Sequence, residues 1–285
     1  MNNKLKIIAE LSKVRITVMV MLTTVAGYVL AGGYNAGMAL PVAGLFILAC
    51  GSAILNQYQE RKEDAVMPRT AKRPIPSGRI KAGSALILAL AFSVTGSLII
   101  LIGANVQAML LGITALIWYN VIYTPLKKKT PFAVIPGSVI GAIPPLVGWV
   151  AGGGSLLNMQ ALVLGLFFFV WQVPHFWLLM IKYGPQYEKA GFPSLSRYYS
   201  ARHIRMVTFI WTLATAVAAM LLPLYGVIKS PYAVAGIILS SVWLIATFLR
   251  MLNFSKKLIN PMPYFMKINI FAMLMIIVLC VDNLL

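Results

Sequence analysis

Residues 56–79 read NQYQERKEDAVMPRTAKRPIPSGR and follow an apolar run that ends at Leu55. Three of the chain's six acidic residues, Glu60, Glu63 and Asp64, lie here, and seven basic residues fall between Arg61 and Lys81. A helix that enters from Ile54 and continues past the apolar run places Asn56, Glu60 and Asp64 at i, i+4 and i+8, on one face. Two carboxylates and an amide one turn apart are oxygen ligands of the kind Mg²⁺ prefers, a cation held by one or two carboxylates together with substrate phosphates. Pro68 disfavours helical angles at the residue before it, so the helix is expected to end at Met67. Beyond it, Arg69, Lys72, Arg73 and Arg79 are spaced along a loop punctuated by Pro and Gly, suited to folding over an anion. The stretch therefore predicts a site for Mg²⁺ and a diphosphate. The alternative is a solvated helix end whose bases only mark one side of a membrane.

Outward from this stretch the chain is apolar: 60% of its 285 residues are hydrophobic and 11% charged, with a formal net charge of +18. So many long apolar runs exclude a soluble domain and make the bilayer the solvent. Runs of about 20 apolar residues predict nine spans: Thr17–Gly33, Met38–Gln57, Ser84–Ala104, Gln107–Pro125, Phe132–Gly152, Met159–Tyr183, Val207–Ile228, Tyr232–Met251 and Tyr264–Leu284. The fold expected is all-α, a polytopic membrane bundle of about nine transmembrane helices around a central cavity, with residues 1–285 forming a single domain. Basic residues then alternate between the two faces. Lys4 through Arg15, Arg61 through Lys81, Lys127 to Lys129, Lys182 through Arg205 and Arg250 through Lys267 lie on one side, and Lys229 alone on the other. The positive-inside rule makes the basic side, with the amino terminus and the polar loops, cytoplasmic, or matrix-facing in an organelle. The compartment expected is a bacterial plasma membrane. Bases gathered at a membrane edge suit anionic lipid or a polyanionic substrate rather than nucleic acid. Cys50 and Cys280 fall inside spans, and no disulfide framework or zinc motif is present.

The amino-terminal arm interleaves Ile7, Ile8 and Leu11 with Lys4, Lys6, Lys13 and Arg15. This predicts a short interfacial helix acting as an anchor rather than as part of a site. Span four ends in Tyr119, Tyr123 and Pro125 followed by Lys127, Lys128 and Lys129. The tyrosines, one turn apart, suit either a cavity wall or an aromatic belt, and the lysines either a diphosphate contact or a topology signal. Span five carries Pro136, Pro144 and Pro145, so a kink or break is expected, with Gly137 and Gly141 at the spacing that lets helices approach closely. Span six places Gln172 and His175 at i and i+3 among Phe167, Trp171, Phe176 and Trp177. Polar groups within a span face the interior or a cavity, which predicts a shared polar pocket. The connection from Lys182 to Arg205, with Gln186, Tyr187, Glu188 and Arg197, is the other polar segment large enough to complete a site.

The run Asn56-Gln57-x-x-Glu60-x-x-x-Asp64-x-x-Met67-x-Arg69-Thr70-x-x-Arg73-Pro74 resembles the first acidic motif of the UbiA superfamily of intramembrane prenyltransferases. More narrowly it is similar to that superfamily's protohaem IX farnesyltransferase branch. Three further segments agree: Tyr123-Thr124 through Lys127 to Thr130; Gly141-Ala142-x-Pro144-Pro145-Leu146-x-Gly148-Trp149; and Trp171-Gln172-x-Pro174-His175-Phe176-Trp177 with Lys182-Tyr183 and Ala190-Gly191 beyond. The resemblance implies a nine-helix bundle and Mg²⁺-dependent transfer of a farnesyl group from farnesyl diphosphate to a vinyl group of haem b. It departs from the branch at Gln186, where an Asp is expected, which leaves Glu188 as the nearby carboxylate.

Residues and resemblance together assign Asn56, Glu60 and Asp64 to Mg²⁺ as the catalytic set, and Arg69, Arg73, Lys127 and Arg197 to the diphosphate. His175, with Gln172, Trp171 and Tyr123, is assigned to the acceptor. The partners implied are farnesyl diphosphate, haem b and membrane lipid, with haem A synthase or oxidase assembly proteins as contacts. A prenyl acceptor attacks an allylic cation directly, so no nucleophilic triad is needed, and none is visible. Two alternatives stay open: a sister enzyme prenylating an aromatic or quinone-precursor ring, and a transporter or non-catalytic haem-handling protein, for which a broken span five would also serve.

Overall fold

The structure, a computed structural model, describes residues 3–253 and 260–284. Residues 254–259, part of the basic connection expected from Arg250 through Lys267, lie outside the described residues. The helices are α1 (Asn3–Leu11), α2 (Val14–Gly32), α3 (Ala39–Gln59), α4 (Arg61–Val66), α5 (Ala82–Gly103), α6 (Val106–Ile117) and α7 (Thr124–Leu126), then α8 (Val134–Gly137), α9 (Val139–Ala151), α10 (Met159–Lys189), α11 (Ala201–Leu224), α12 (Pro231–Leu249) and α13 (Met262–Leu284). Among the described residues, nine helical segments are long and apolar enough to cross a membrane. They match the nine apolar runs in order. The largest differences flank the second polar connection, where α10 continues to Lys189 and α11 begins at Ala201, capped by the Ser200 side chain accepting from His203 N. Helix outlasts apolarity there even though Gly184 and Pro185 lie inside α10.

The spanning helices neighbour one another around the bundle in chain order, and α13 returns to α2. Helix α2 also lies along α9, and α10 along α13, so these four enclose the interior. Phe167 and Phe168 of α10, Phe248 of α12 and Phe271 of α13 are fully buried in the main core. The opposite condition holds on α5, where Ile87, Leu90, Val94, Leu98 and Ile102 form an exposed apolar row at helical spacing. Such a face suits lipid, and on a soluble protein it would be an aggregation site.

The α2–α9 contact depends on glycine. A Cβ on Gly148 would lie 1.9 Å from Thr24 O, and one on Gly27 would lie 1.9 Å from Pro145 O. Forcing a methyl into such a contact costs about 1–3 kcal/mol. Gly148→Ala is therefore expected to lower the thermal midpoint in detergent by on the order of 5 °C. An unchanged midpoint would mean that the two backbones are not in contact.

Span five is broken, as expected, and the break lies close to the first of its three prolines. Pro144 and Pro145 lie inside α9, and the interruption falls earlier, at Ser138 between α8 and α9. The carbonyl of Pro136 there accepts from Trp118 Nε1 at 2.7 Å, so the break is satisfied from the residue that follows α6. Gly137 and Gly141 do not bring two backbones together. Their missing side chains make room for the Tyr123 ring and the Gln172 amide. Ahead of Pro125 the helix widens into a π-turn over Trp118–Tyr123. Pro125 has no N–H to donate back along the helix, and the carbonyl this leaves free in the π register, Asn120 O, accepts instead from Gln59 Nε2 at 3.0 Å.

Candidate active site

Helix α3 ends at Gln59, and Glu60 breaks it with φ −101° and ψ 12° before α4 begins. The register survives the break, because Glu60 N donates to Asn56 O at 3.0 Å and Asp64 N to Glu60 O at 2.8 Å. Asn56, Glu60 and Asp64 are all buried on one face. Met67 is extended ahead of Pro68, as expected, and the chain folds back. Thr70 Oγ1 donates to Asp64 O at 2.9 Å, and Arg73 Nη1 meets Asp64 Oδ2 at 2.7 Å.

Each group of the acidic face is met by a cation or hydroxyl from elsewhere. From the π-turn side, Thr124 Oγ1 accepts from Asn56 Nδ2 at 3.1 Å, and Lys127 Nζ lies 2.5 Å from Glu60 Oε1. From the amino-terminal arm, Lys13 Nζ donates to Asn56 Oδ1 at 2.7 Å. Lys13, Arg73 and Lys127 thus converge on one amide and two carboxylates. Burial is the largest influence and works against the Lys127 ammonium, but the charge and hydrogen bond of Glu60 together with Tyr123 and Tyr187 hold its pKa above the ordinary lysine value. Lys13 goes the other way: burial, then repulsion from Arg73, pushes its ammonium down to about 7.

The arm is more than the anchor expected from its sequence. Gln57 Nε2 donates to Glu10 O at 2.9 Å and Leu11 O at 2.8 Å, which caps the end of α1. Leu11 is buried with Ile54, Ile75, Ala85 and Ala89. Arg79 does not reach the acidic face, because it pairs with Glu10 at 2.5 Å and clips the loop to the arm. The turn between α1 and α2 holds Lys13 at φ 49° and points it inward. Alternation of apolar and basic residues gave no sign of this.

The remaining assigned residues divide. Arg69 is exposed and lies over the Tyr183 ring at 4.7 Å, joining the first polar loop to the second. Tyr123 and Lys127 line a cavity with Thr130, Met180, Tyr187 and Phe192. Arg197 sits exposed on the Leu195–Arg197 turn, and among the described residues no hydrogen bond or ion pair ties it to the acidic face. Glu188 is also turned away, accepting from Ser194 and Ser196 within its own loop. Among the described residues, no three His, Cys, Asp or Glu side chains converge.

Asp64 Oδ1 is buried without a hydrogen-bond partner. An orphaned carboxylate oxygen beside a second carboxylate and an amide suits a hard divalent cation that keeps room for water and phosphate oxygens. Glu63 lies outside this set, paired with Lys128 at 2.5 Å on the partly exposed side. Such pairs contribute about 0–1 kcal/mol, so Lys128→Ala is expected to change Mg²⁺-dependent diphosphate release by less than about threefold. A larger loss would put Lys128 in contact with the substrate.

A row of rings leads away from Lys127. Tyr119 stacks on Tyr123 at 5.8 Å, Tyr123 on Phe176 at 5.9 Å, and Phe176 meets the edge of His175 at 5.5 Å. Trp171 lies against His175 at 4.9 Å. Gln172 does not share a pocket with His175 as expected. Its amide packs over Gly141 of α9, while His175 faces α13 and hydrogen-bonds Asn269.

A helical membrane bundle with buried carboxylates and cations at one end of an aromatic row is the architecture of an intramembrane enzyme. The UbiA prenyltransferase family profile matches residues 20–271. A protoheme IX farnesyltransferase of Oleidesulfovibrio alaskensis is 33% identical over 281 residues, covering 98% of this chain and 97% of the relative. One of Geobacter sulfurreducens is 39% identical over 210 residues, 72% of this chain and 76% of that one. Among solved structures, a digeranylgeranylglyceryl phosphate synthase superposes with TM-score 0.80 at 17% identity over 99% of both chains. A UbiA homolog from Archaeoglobus fulgidus bound to GPP and Mg²⁺ gives 0.70 at 15% identity, over 98% of this chain and 100% of that one. The chain belongs to the UbiA prenyltransferase family. It is an integral membrane prenyltransferase.

Proposed function

We propose that this chain transfers a farnesyl group from farnesyl diphosphate to a vinyl group of protohaem IX, haem b, giving haem O, as a single domain over residues 1–285. The observation that carries the site is the triple pairing of Lys13 with Asn56, Lys127 with Glu60 and Arg73 with Asp64. Support for the acceptor comes from the curated relatives and from His175 at the far end of the aromatic row. Asn56, Glu60 and Asp64 would hold Mg²⁺, which supplies positive charge to the leaving diphosphate. Lys13, Arg73 and Lys127 then bind diphosphate oxygens, with Arg69 at the rim. These cations stabilise the charge that develops as the allylic C–O bond breaks and its electron pair leaves with the diphosphate. Tyr119, Tyr123 and Phe176 exclude water and offer ring faces to the cation left behind. The vinyl π-electrons then form the new C–C bond, and the carbocation this leaves on the vinyl carbon next to the porphyrin ring is captured by water, whose oxygen becomes the side-chain hydroxyl as one proton is released. The side bearing the amino terminus and the polar loops is placed in the cytoplasm of a bacterial cell, with haem A synthase or oxidase assembly proteins receiving the product.

The test is mass spectrometry of purified protein incubated with haem b, farnesyl diphosphate and Mg²⁺. A farnesylated haem is the expected product. Mg²⁺-dependent diphosphate release only with an aromatic acceptor would move the chain to the quinone-precursor branch. No release under any condition would remove the assigned chemistry.

A further inference from the structure

Asn269 lies within the apolar span α13, between Ile268 and Ile270, where a polar side chain calls for a partner. Its Nδ2 donates to Phe265 O at 2.7 Å, which fixes the amide with Oδ1 turned toward α10. That oxygen lies 2.8 Å from His175 Nδ1. A carbonyl oxygen only accepts, so the proton on this contact is carried by Nδ1. The flipped amide would set Asn269 Oδ1 against the Phe265 carbonyl and lose that bond. Neutral His175 is therefore the Nδ1–H tautomer, with its lone pair on Nε2.

The ring is also held in place. Trp171 packs against it at 4.9 Å and Phe265 at 4.8 Å, and the Trp171 indole is itself anchored by donation to Ile268 O at 2.9 Å. Apart from Trp171 and Phe176 of α10, the restraints on the ring come from the Phe265–Asn269 turn. His175 is half-buried, and Nε2 makes no hydrogen bond among the described residues. An imidazole whose Nδ1–H is tied to an oxygen and whose Nε2 is left open is oriented as metal-binding histidines are.

We propose that Asn269 is a positioning residue that locks His175 in the Nδ1–H tautomer and presents Nε2 as a ligand to the iron of the tetrapyrrole acceptor. The inference rests on the haem reading of the acceptor. It assigns α13 a part in setting how the acceptor lies relative to the aromatic row.

The experiment titrates ferric haem b into the purified full-length protein in detergent, recording affinity, optical spectrum and the midpoint potential of the bound iron. Wild type is compared with His175→Ala, Asn269→Leu and Asn269→Asp, and Mg²⁺-dependent farnesyl diphosphate binding serves as the control for folding. Wild type is expected to give a nitrogen-ligated spectrum that His175→Ala loses and added imidazole restores. Asn269→Leu is expected to weaken haem binding by about tenfold or more and raise the potential. Asn269→Asp, which still accepts from Nδ1–H and makes the imidazole more basic, keeps the ligated spectrum and lowers the potential. Opposite shifts distinguish positioning of the ligand from a general packing role, and the Asp variant carries the test if the Leu variant fails to fold. Haem binding by wild type with unchanged spectrum and affinity in Asn269→Leu, or unchanged potential in Asn269→Asp, overturns the proposal while leaving the acceptor reading intact. No haem binding by wild type overturns both.

Discussion

Asp64→Asn lowers Mg²⁺-dependent diphosphate release by about 10³-fold, a loss of about 4 kcal/mol of transition-state stabilisation, in a protein that remains folded. The size follows from the position of the carboxylate. Asp64 is 1% exposed, its Oδ2 is bound by Arg73, and its Oδ1 has no partner. The amide has almost the same shape but lacks the charge that holds a hard cation, and it puts donor hydrogens where lone pairs are needed. The fold should tolerate the change. The loop after α4 is held to residue 64 through the backbone as well, by Thr70 Oγ1 on Asp64 O, and that bond is indifferent to the side chain. The measurement is diphosphate release across a Mg²⁺ titration, beside the detergent thermal midpoint. Activity within tenfold of wild type at saturating Mg²⁺ would take Asp64 out of the metal set.

Features set by local chemistry were legible in the sequence. Apolar length alone places all nine spans, because a backbone in lipid has to satisfy itself as helix. Pro68 ends the acidic helix at Met67, and the i, i+4, i+8 spacing of Asn56, Glu60 and Asp64 holds even though the helix breaks at Glu60, since the hydrogen bonds across the break keep their register. What was not legible depends on where distant segments meet. Lys127 reaches Glu60 because the π-turn before Pro125 re-aims the end of span four, whereas three adjacent lysines read in one dimension offer no choice among themselves. Arg79 and Arg197 carry the same charge as Arg73, but one is claimed by Glu10 and the other remains exposed. Charge counting shows that cations are required near the carboxylates; only packing decides which ones arrive. Asn269 was lost in a span that looked uniformly apolar, and its meaning appears only with His175 beside it.

Lys13→Met separates the two roles open to the amino-terminal arm. If the arm were only an anchor, methionine would serve there at least as well as lysine, and the change would resemble Lys6→Met on the exposed face of α1. Instead, Lys13→Met is expected to lower kcat/KM for farnesyl diphosphate by about 10²-fold, with Lys6→Met unchanged. The ammonium sits 2.7 Å from Asn56 Oδ1, within the same knot as Arg73 and Lys127, where no exposed lysine can replace it. Lys13→Arg should recover part of the loss. Glu10→Gln, which only loosens the exposed clip to Arg79, should cost less than about threefold. Backbone geometry supplies a sharper check. Lys13 is the only non-glycine residue with positive φ among the described residues, at 49°, a conformation that costs an L-residue about 1–2 kcal/mol and that glycine adopts freely. Lys13→Gly is therefore expected to raise the thermal midpoint while lowering activity as much as Lys13→Met does. A residue kept in a strained conformation for packing alone would show stability and activity moving together. A strained turn retained to deliver one charge to the diphosphate shows them moving apart.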